Sequence, residues 1–208
     1  MPARIAADER LSKINQCFLS LDADSFDNIN RFVALCGEIL GATCALYNRL
    51  YRSSLFSLGQ WNTPAGYNPE DSPNGHICYD VIKQNSGSSL LVRELPKTDY
   101  YQTDPNVATY RLKTYLGQAV RCQRTAVGSL CVVFQEDFVP TEDDEKLMEV
   151  IATAIGIEEE RLKTSEESVR DILTGLYNRR YFNHRLDEEI NRAERSAESL
   201  VILLCDID

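Results

Sequence analysis

The feature that most constrains how this chain can fold is a change of hydrophobic period that is made twice. Apolar residues first recur at helical spacing, as Ile5, Leu11, Ile14, Phe18 and Leu21 and then as Ile29, Phe32, Val33, Cys36, Ile39 and Leu40, with Gly41 placed to end the second helix. From Ala42 the pattern breaks into short apolar and aromatic runs, ATCALYNRLY, SLFSLGQW, SLLVREL, TYLGQAVRC and TAVGSLCVVFQ, each of strand length. The last two are joined by only Gln123 and Arg124, which predicts a hairpin. NTPAGYNPEDSPNGH and PKTDYYQTDPN read as loops, and ICYDVIKQN and VATYRLK as short helices. At Thr141, a suitable N-cap before four acidic residues, the helical period returns and runs to about Val169, with Gly156 as its one weak point. Helices, hairpin-linked strands and a closing helix predict an α+β fold, a mainly antiparallel sheet flanked by helices.

The 208 residues are 43% hydrophobic and 26% charged, a globular composition. A net charge of −10 opposes charge-driven binding to nucleic acid or an anionic membrane. No apolar run approaches the ~20 residues that cross a bilayer, and acidic residues interrupt the N-terminus where a signal peptide needs an apolar core. These features predict a cytoplasmic chain. Seven cysteines, an odd number with no CxxC pair, fit neither a disulfide framework nor a zinc site, so buried reduced thiols are the default.

Two stretches, GHICYDVIK (75–83) and TYLGQAVRCQRTAVGSLCVVF (114–134), resemble GAF domains, small-ligand sensors of bacterial signalling proteins, and the likeness extends over about residues 25–160. The resemblance implies a ligand held between the sheet and the segments 62–88 and 96–113. Those regions offer Trp61, His76, Cys78, Tyr79, Tyr100, Tyr101, Tyr110 and Tyr115 as pocket residues, although the same aromatics would serve to fill a hydrophobic core. The ligand itself is left open. His76-x-Cys78 supplies two soft ligands, too few for a metal site. Some GAF proteins reduce free methionine sulfoxide with clustered cysteines, which makes Cys78, Cys122 and Cys131 an alternative, thiol-dependent site. In a hairpin turning at Gln123-Arg124, Cys122 pairs with Thr125, and Cys131 lies too far along the return strand for an easy disulfide to Cys122.

From Met148 a 3–4 alternation runs through Ile151, Ile155, Glu158, Leu162, Ser165, Val169 and Ile172. This is a heptad seam with two polar interruptions, and it predicts a homodimer through the 148–172 helix. The competing expectation is that Leu147 to Ile157 packs on its own domain, leaving the second half to find a partner.

DILTGLYNRRYF follows at once. Its Asp171, Leu173, Thr174, Gly175, Leu176, Asn178, Arg179, Arg180 and Phe182 resemble, at fixed spacing, the opening of the GGDEF (diguanylate cyclase) domain. The terminal SLVILLCDID reads as a buried strand delivering carboxylates. By resemblance Asp206 and the carbonyl of Ile207 are metal ligands, Mg²⁺ is the cofactor, and the reaction joins two GTP into cyclic di-GMP. The sequence ends before the Gly-Gly-Asp/Glu-Glu-Phe turn, so this chain is expected to be catalytically inactive, and the intact domain is either an active cyclase or a degenerate nucleotide receptor. The expected organisation is an N-terminal helix (1–24), a GAF sensor (25–145), a signalling helix (146–170) and a partial GGDEF domain (171–208).

Overall fold

The computed structural model describes residues 5–85 and 87–169, and beyond them only positions 174, 176, 182, 186, 190 and 199–203. The chain divides into two compact units, Met1–Arg161 and Leu162–Asp208. The first is built on one six-stranded antiparallel sheet in the order β3-β2-β1-β6-β5-β4. Its strands are β1 (Cys44–Tyr51), β2 (Ser54–Trp61), β3 (Glu70–Asp71), β4 (Leu90–Arg93), β5 (Thr114–Cys122) and β6 (Thr125–Phe134). The predicted hairpin closes at Gln123-Arg124 with Cys122 opposite Thr125, and Gln123 takes the positive φ of 60° that so tight a link requires.

Alternation along the strands gives the sheet two faces. Ala45 and Tyr47 of β1 and Leu130, Val132 and Phe134 of β6 share one face, whereas Cys44, Leu46 and Asn48 of β1 and Cys131 and Val133 of β6 share the other. Helix α2 (Ser25–Leu40) lies on the first face. Its N-cap is Asp24, whose carboxylate accepts from Phe26 N and Asp27 N, and its C-cap Gly41 is left-handed at φ 62°. Helix α1 (Ala7–Leu19) packs outside α2, with Lys13 Nζ 2.7 Å from Glu38 Oε2.

Helix α6 (Glu142–Val169) also covers the first face. Thr141 and Asp144 cap it reciprocally: Thr141 N donates to Asp144 Oδ2 at 2.9 Å and Asp144 N to Thr141 Oγ1 at 3.3 Å. Met148, Ile151 and Ile155 are buried within the first unit. Glu158 is buried too, accepting from Ser25 Oγ at 2.6 Å and Asn28 Nδ2 at 3.1 Å. The first four positions of the expected dimer seam are therefore spent on the chain's own core. A heptad stripe cannot distinguish a partner helix from the chain's own sheet, and here α2 and the sheet were at hand to cover it. Ser165, Val169 and Ile172 lie outside the residues whose side chains are described.

Two segments expected as loops hold short elements. Glu70–Asp71 pairs with Phe56 and Leu55 as β3. The run PKTDYYQTDPN holds most of a 3₁₀ turn (Leu95–Lys97), α4 (Tyr100–Thr103) and the start of α5 (Pro105–Thr109), so the helix expected at 107–113 starts earlier and ends at Thr109. Asp104 caps α5, accepting from Asn106 N, and Pro105 occupies the first turn, where its missing N–H costs nothing. Helix α3 (Ile77–Gln84), α5 and their loops cover the second face of the sheet. No helix among the described residues is long and apolar enough to cross a membrane. In the second unit, Leu176 N donates to Thr174 Oγ1 at 3.4 Å.

Candidate functional site

Between the second sheet face and the covering segments lies a cavity of about 190 Å³. β1 and β6 supply its floor with Cys44, Leu46, Asn48, Cys131 and Val133, and the cover supplies Tyr67, His76, Ile77, Val107 and Tyr110. Most of this wall is apolar. Among the described residues its charged groups are Asp71, Asp104 and His76, and no lysine or arginine lines it.

A directed chain of hydrogen bonds crosses the floor. Tyr67 O–H and Ser57 Oγ are 2.6 Å apart, and Ser57 Oγ donates its one hydrogen to Asn48 Oδ1 at 2.6 Å, so Tyr67 is the donor to Ser57. The Asn48 amide then donates to Cys78 Sγ at 3.1 Å and lies 3.7 Å from Cys131 Sγ. Tyr115 O–H, which also bonds Ser129 Oγ at 3.1 Å, donates to Cys78 Sγ at 3.5 Å. The two sulfurs are 3.8 Å apart. Cys78 thus has three donors around it. The Cys131 thiol first, and then Tyr115, hold its pKa below the ordinary thiol value against the opposing effect of burial. The same contact drives Cys131 the other way, well above the usual thiol range. Burial pushes the neighbouring Cys44 thiol up to about 12.

The entrance to α3 is held from both sides. His76 precedes the helix with Nδ1 3.4 Å from Asp104 Oδ1 and Nε2 3.4 Å from Asp71 Oδ2. The other Asp104 oxygen accepts from Ile77 N, the first amide of α3, at 3.2 Å. Before it, Gly75 sits at φ 89°, and a Cβ there would lie 2.5 Å from Thr103 O, so only glycine allows α4 to approach.

The Asp104 carboxylate raises His76 above its ordinary 6.5, and burial only partly offsets this. A raised folded-state value means that the stabilisation is complete below the unfolded value of 6.5 and is lost as pH rises through the folded one. Wild-type protein is expected to lose thermal stability relative to His76→Gln as pH rises above the unfolded value of 6.5 and through the raised folded one. Parallel melting curves for the two proteins over that range would show that His76 does not titrate against Asp104.

Of the sequence candidates, His76, Cys78, Tyr110 and Tyr115 line the cavity. Tyr79 does not; it is half-buried against the same core, with Lys83 Nζ 4.6 Å from its ring centre. Trp61 is on the opposite face, against α2, where a Cβ on Gly37 would meet its Cε3 at 2.1 Å. The reason is a bulge in β2: Asn48 pairs with Ser57 and Tyr47 with Gly59, which leaves Leu58 as an extra residue. Beyond Leu58 the alternation is inverted, so Trp61 turns away from the face that Ser57 occupies. The thiol pairing also differs from the one weighed in the sequence, because Cys131 meets Cys78 across the sheet–helix junction and Cys122 lies at the hairpin end. Among the described residues no group of three or more His, Cys, Asp or Glu side chains is arranged to hold a metal. Asp171, Leu173, Gly175, Asn178, Arg179, Arg180, Asp206 and Ile207 lie outside the described residues.

Sequence reading missed Asn48, Ser57, Tyr67 and Asp104. The available signals were an asparagine on the inward beat of an apolar strand and the Asp-Pro pair that begins α5.

No curated protein matches the chain. Among solved structures, the GAF domain of a phosphoenolpyruvate-protein phosphotransferase from Coxiella burnetii aligns at 13% identity with a TM-score of 0.63, covering 77% of this chain and 98% of that one. The phycoerythrobilin-bound GAF domain of a cyanobacterial phytochrome aligns at 12% identity and a TM-score of 0.60, covering 77% and 99%. The free methionine-R-sulfoxide reductase of Neisseria meningitidis, solved with its substrate, aligns at 13% and 0.62, covering 79% and 99%. At such identities these likenesses speak for the fold alone. Residues 168–208 match the family model of the diguanylate cyclase GGDEF domain. With residues 28–158 matched by the GAF domain model, the chain belongs to the GAF domain family and leads directly into a GGDEF segment.

Proposed function

We propose that residues 25–161 form the sensory module of a diguanylate cyclase and that the cavity over β1 and β6 is its ligand site. The observation that carries this reading is an internal cavity of about 190 Å³ on one sheet face, with α6 anchored to the other and followed in the sequence by the GGDEF segment. A wall with two carboxylates and no lysine or arginine disfavours phosphorylated ligands such as cyclic nucleotides. It suits an uncharged or cationic small molecule with an apolar body. GTP is then the substrate in the intact protein and cyclic di-GMP its product, and Asp206 and the Ile207 carbonyl would hold the Mg²⁺ that offsets the phosphate charge. Each GGDEF domain carries one GTP, so two copies must meet, and the helix from Leu162 onward is the element that pairs them. The protein works in the cytoplasm, where GTP is found.

The test is to incubate the natural full-length protein with GTP and Mg²⁺ and to look for cyclic di-GMP by mass spectrometry. Product supports the cyclase; a folded dimer that binds GTP without product points to a receptor with a degenerate GGDEF domain. Leu162→Glu is expected to shift the protein toward monomer by light scattering and to lower product with it. Unchanged dimers would put the association elsewhere.

The Cys78–Cys131 contact favours a second reading, a thiol-dependent reductase of a small sulfoxide, since the sulfoxide reductase of Neisseria meningitidis shares this fold. Its working thiols would be Cys78 and Cys131, not Cys122. Steady turnover of free methionine sulfoxide with dithiothreitol would establish it, and no turnover removes it.

A further inference from the structure

We infer that Cys78 and Cys131 form a redox site within the cavity, with Cys78 as the sulfur attacked by a small uncharged hydroperoxide and Cys131 as the sulfur that closes the disulfide. The inference takes the ligand-site reading one step further, and it depends on that reading only in treating the cavity as open to small molecules.

Three observations carry it. The two sulfurs, 53 residues apart in sequence, are 3.8 Å from each other and both line the cavity. Their surroundings are unequal: Asn48 Nδ2 at 3.1 Å and Tyr115 O–H at 3.5 Å both donate to Cys78, so a thiolate there is met by donors before any oxidant arrives. Cys78 is also the second residue of α3, at the positive end of the helix dipole, which favours negative charge. The remaining four described cysteines lack this arrangement. Cys36 is buried among apolar groups of α2, Cys44 is raised by burial alone, and Cys17 and Cys122 lie elsewhere on the first unit.

The wall also selects the oxidant. Asp71 and Asp104 repel anionic oxidants, and the apolar majority of the wall seats an alkyl group, so a neutral peroxide with a small organic substituent is favoured. In the first step the Cys78 thiolate attacks the terminal oxygen of ROOH. The S–O bond forms, the O–O bond breaks, and the alkoxide leaves and takes a proton to become ROH. In the second step Cys131 sulfur attacks Cys78 sulfur; the S–O bond breaks, and the hydroxide leaves as water with the Cys131 proton. The two thiols lose two electrons and the peroxide gains two. The sulfurs must then close from 3.8 Å to about 2.05 Å. That movement draws the start of α3 toward β6 and removes both thiols from the cavity wall.

The experiment treats the whole chain with tert-butyl hydroperoxide, alkylates the free thiols, and maps peptides without reduction. Two of the seven thiols are expected to disappear, in a Cys78–Cys131 linked peptide that dithiothreitol releases. Tyr115→Phe should react about tenfold more slowly, from the loss of one hydrogen bond to the thiolate. Cys131→Ser should halt at a sulfenic acid on Cys78 that dimedone captures. The wild-type map decides the matter even where a variant fails to fold. Linkage through any other pair, or seven alkylatable thiols after treatment, overturns the inference. So does a disulfide formed with methionine sulfoxide but not with the peroxide. None of these results bears on cyclic di-GMP synthesis, so the cyclase reading stands or falls separately.

Discussion

Glu159→Ala is expected to cost about 3–5 kcal/mol of folding stability and to lower the thermal midpoint by roughly 10 °C. The carboxylate is buried at the sheet surface, where it accepts from Tyr47 O–H at 2.7 Å and lies 3.3 Å from Arg49 Nε. Truncation leaves a phenol and a guanidinium that have lost their acceptor in a place with little water. The penalty is that of stranding the partners, which exceeds the net worth of the contact. Burial and Glu159 together already hold the Tyr47 hydroxyl far above its ordinary value, so it cannot escape by ionising. Thermal unfolding followed by circular dichroism measures the loss. A fall of less than about 3 °C, equivalent to roughly 1 kcal/mol, would mean that water enters at position 159 and takes the place of the lost carboxylate oxygens.

Gly156→Ala is the second large effect, and its sign runs against helix propensity. In an exposed helix this change gains about 1 kcal/mol. Here a Cβ would sit 2.3 Å from the carbonyl oxygen of Arg121, a backbone atom of β5 that cannot rotate aside. Helix α6 would have to lift from the sheet, disturbing the packing of Ile155 and Ala152 and the bonds of Glu158 and Glu159 nearby. Overpacking of this kind costs about 1–3 kcal/mol, so a net loss near 2 kcal/mol is expected after the propensity gain is set against the upper part of that range. A urea midpoint that falls at constant slope would agree; a midpoint that rises would show that the helix has room to move outward.

The same glycine illustrates what the sequence could and could not disclose. Period alone placed α1, α2 and α6, the flanking loop signals placed α3, and the two-residue link placed the β5–β6 hairpin, because these signals lie within a few residues of one another. Gly156 read as a weak point in a long helix, since nothing local reveals that a strand carbonyl passes beneath it. Trp61 was assigned to the pocket side because the bulge at Leu58, which inverts the faces of β2, has no marker in SLFSLGQW. Asp104 was hidden in a segment read as loop, although its Asp-Pro pair carries a capping signal. The thiol pair is the clearest case: Cys78 and Cys131 meet only because α3 docks over β6, a tertiary event that spacing along the chain does not encode.

Strand β1 lends the molecule a short mechanical path. Asn48 faces the cavity and joins Ser57 and Cys78, while its neighbour Tyr47 faces the other way and holds Glu159 on α6. The two side chains leave adjacent Cα atoms, about 3.8 Å apart. A bound molecule, or a closing disulfide, that tugs on the Asn48 amide therefore pulls on the same peptide unit that carries the Tyr47 tether. The sheet acts as a thin diaphragm, with the chemistry on one side and the output helix fastened to the other, and its thickness at that point is one residue.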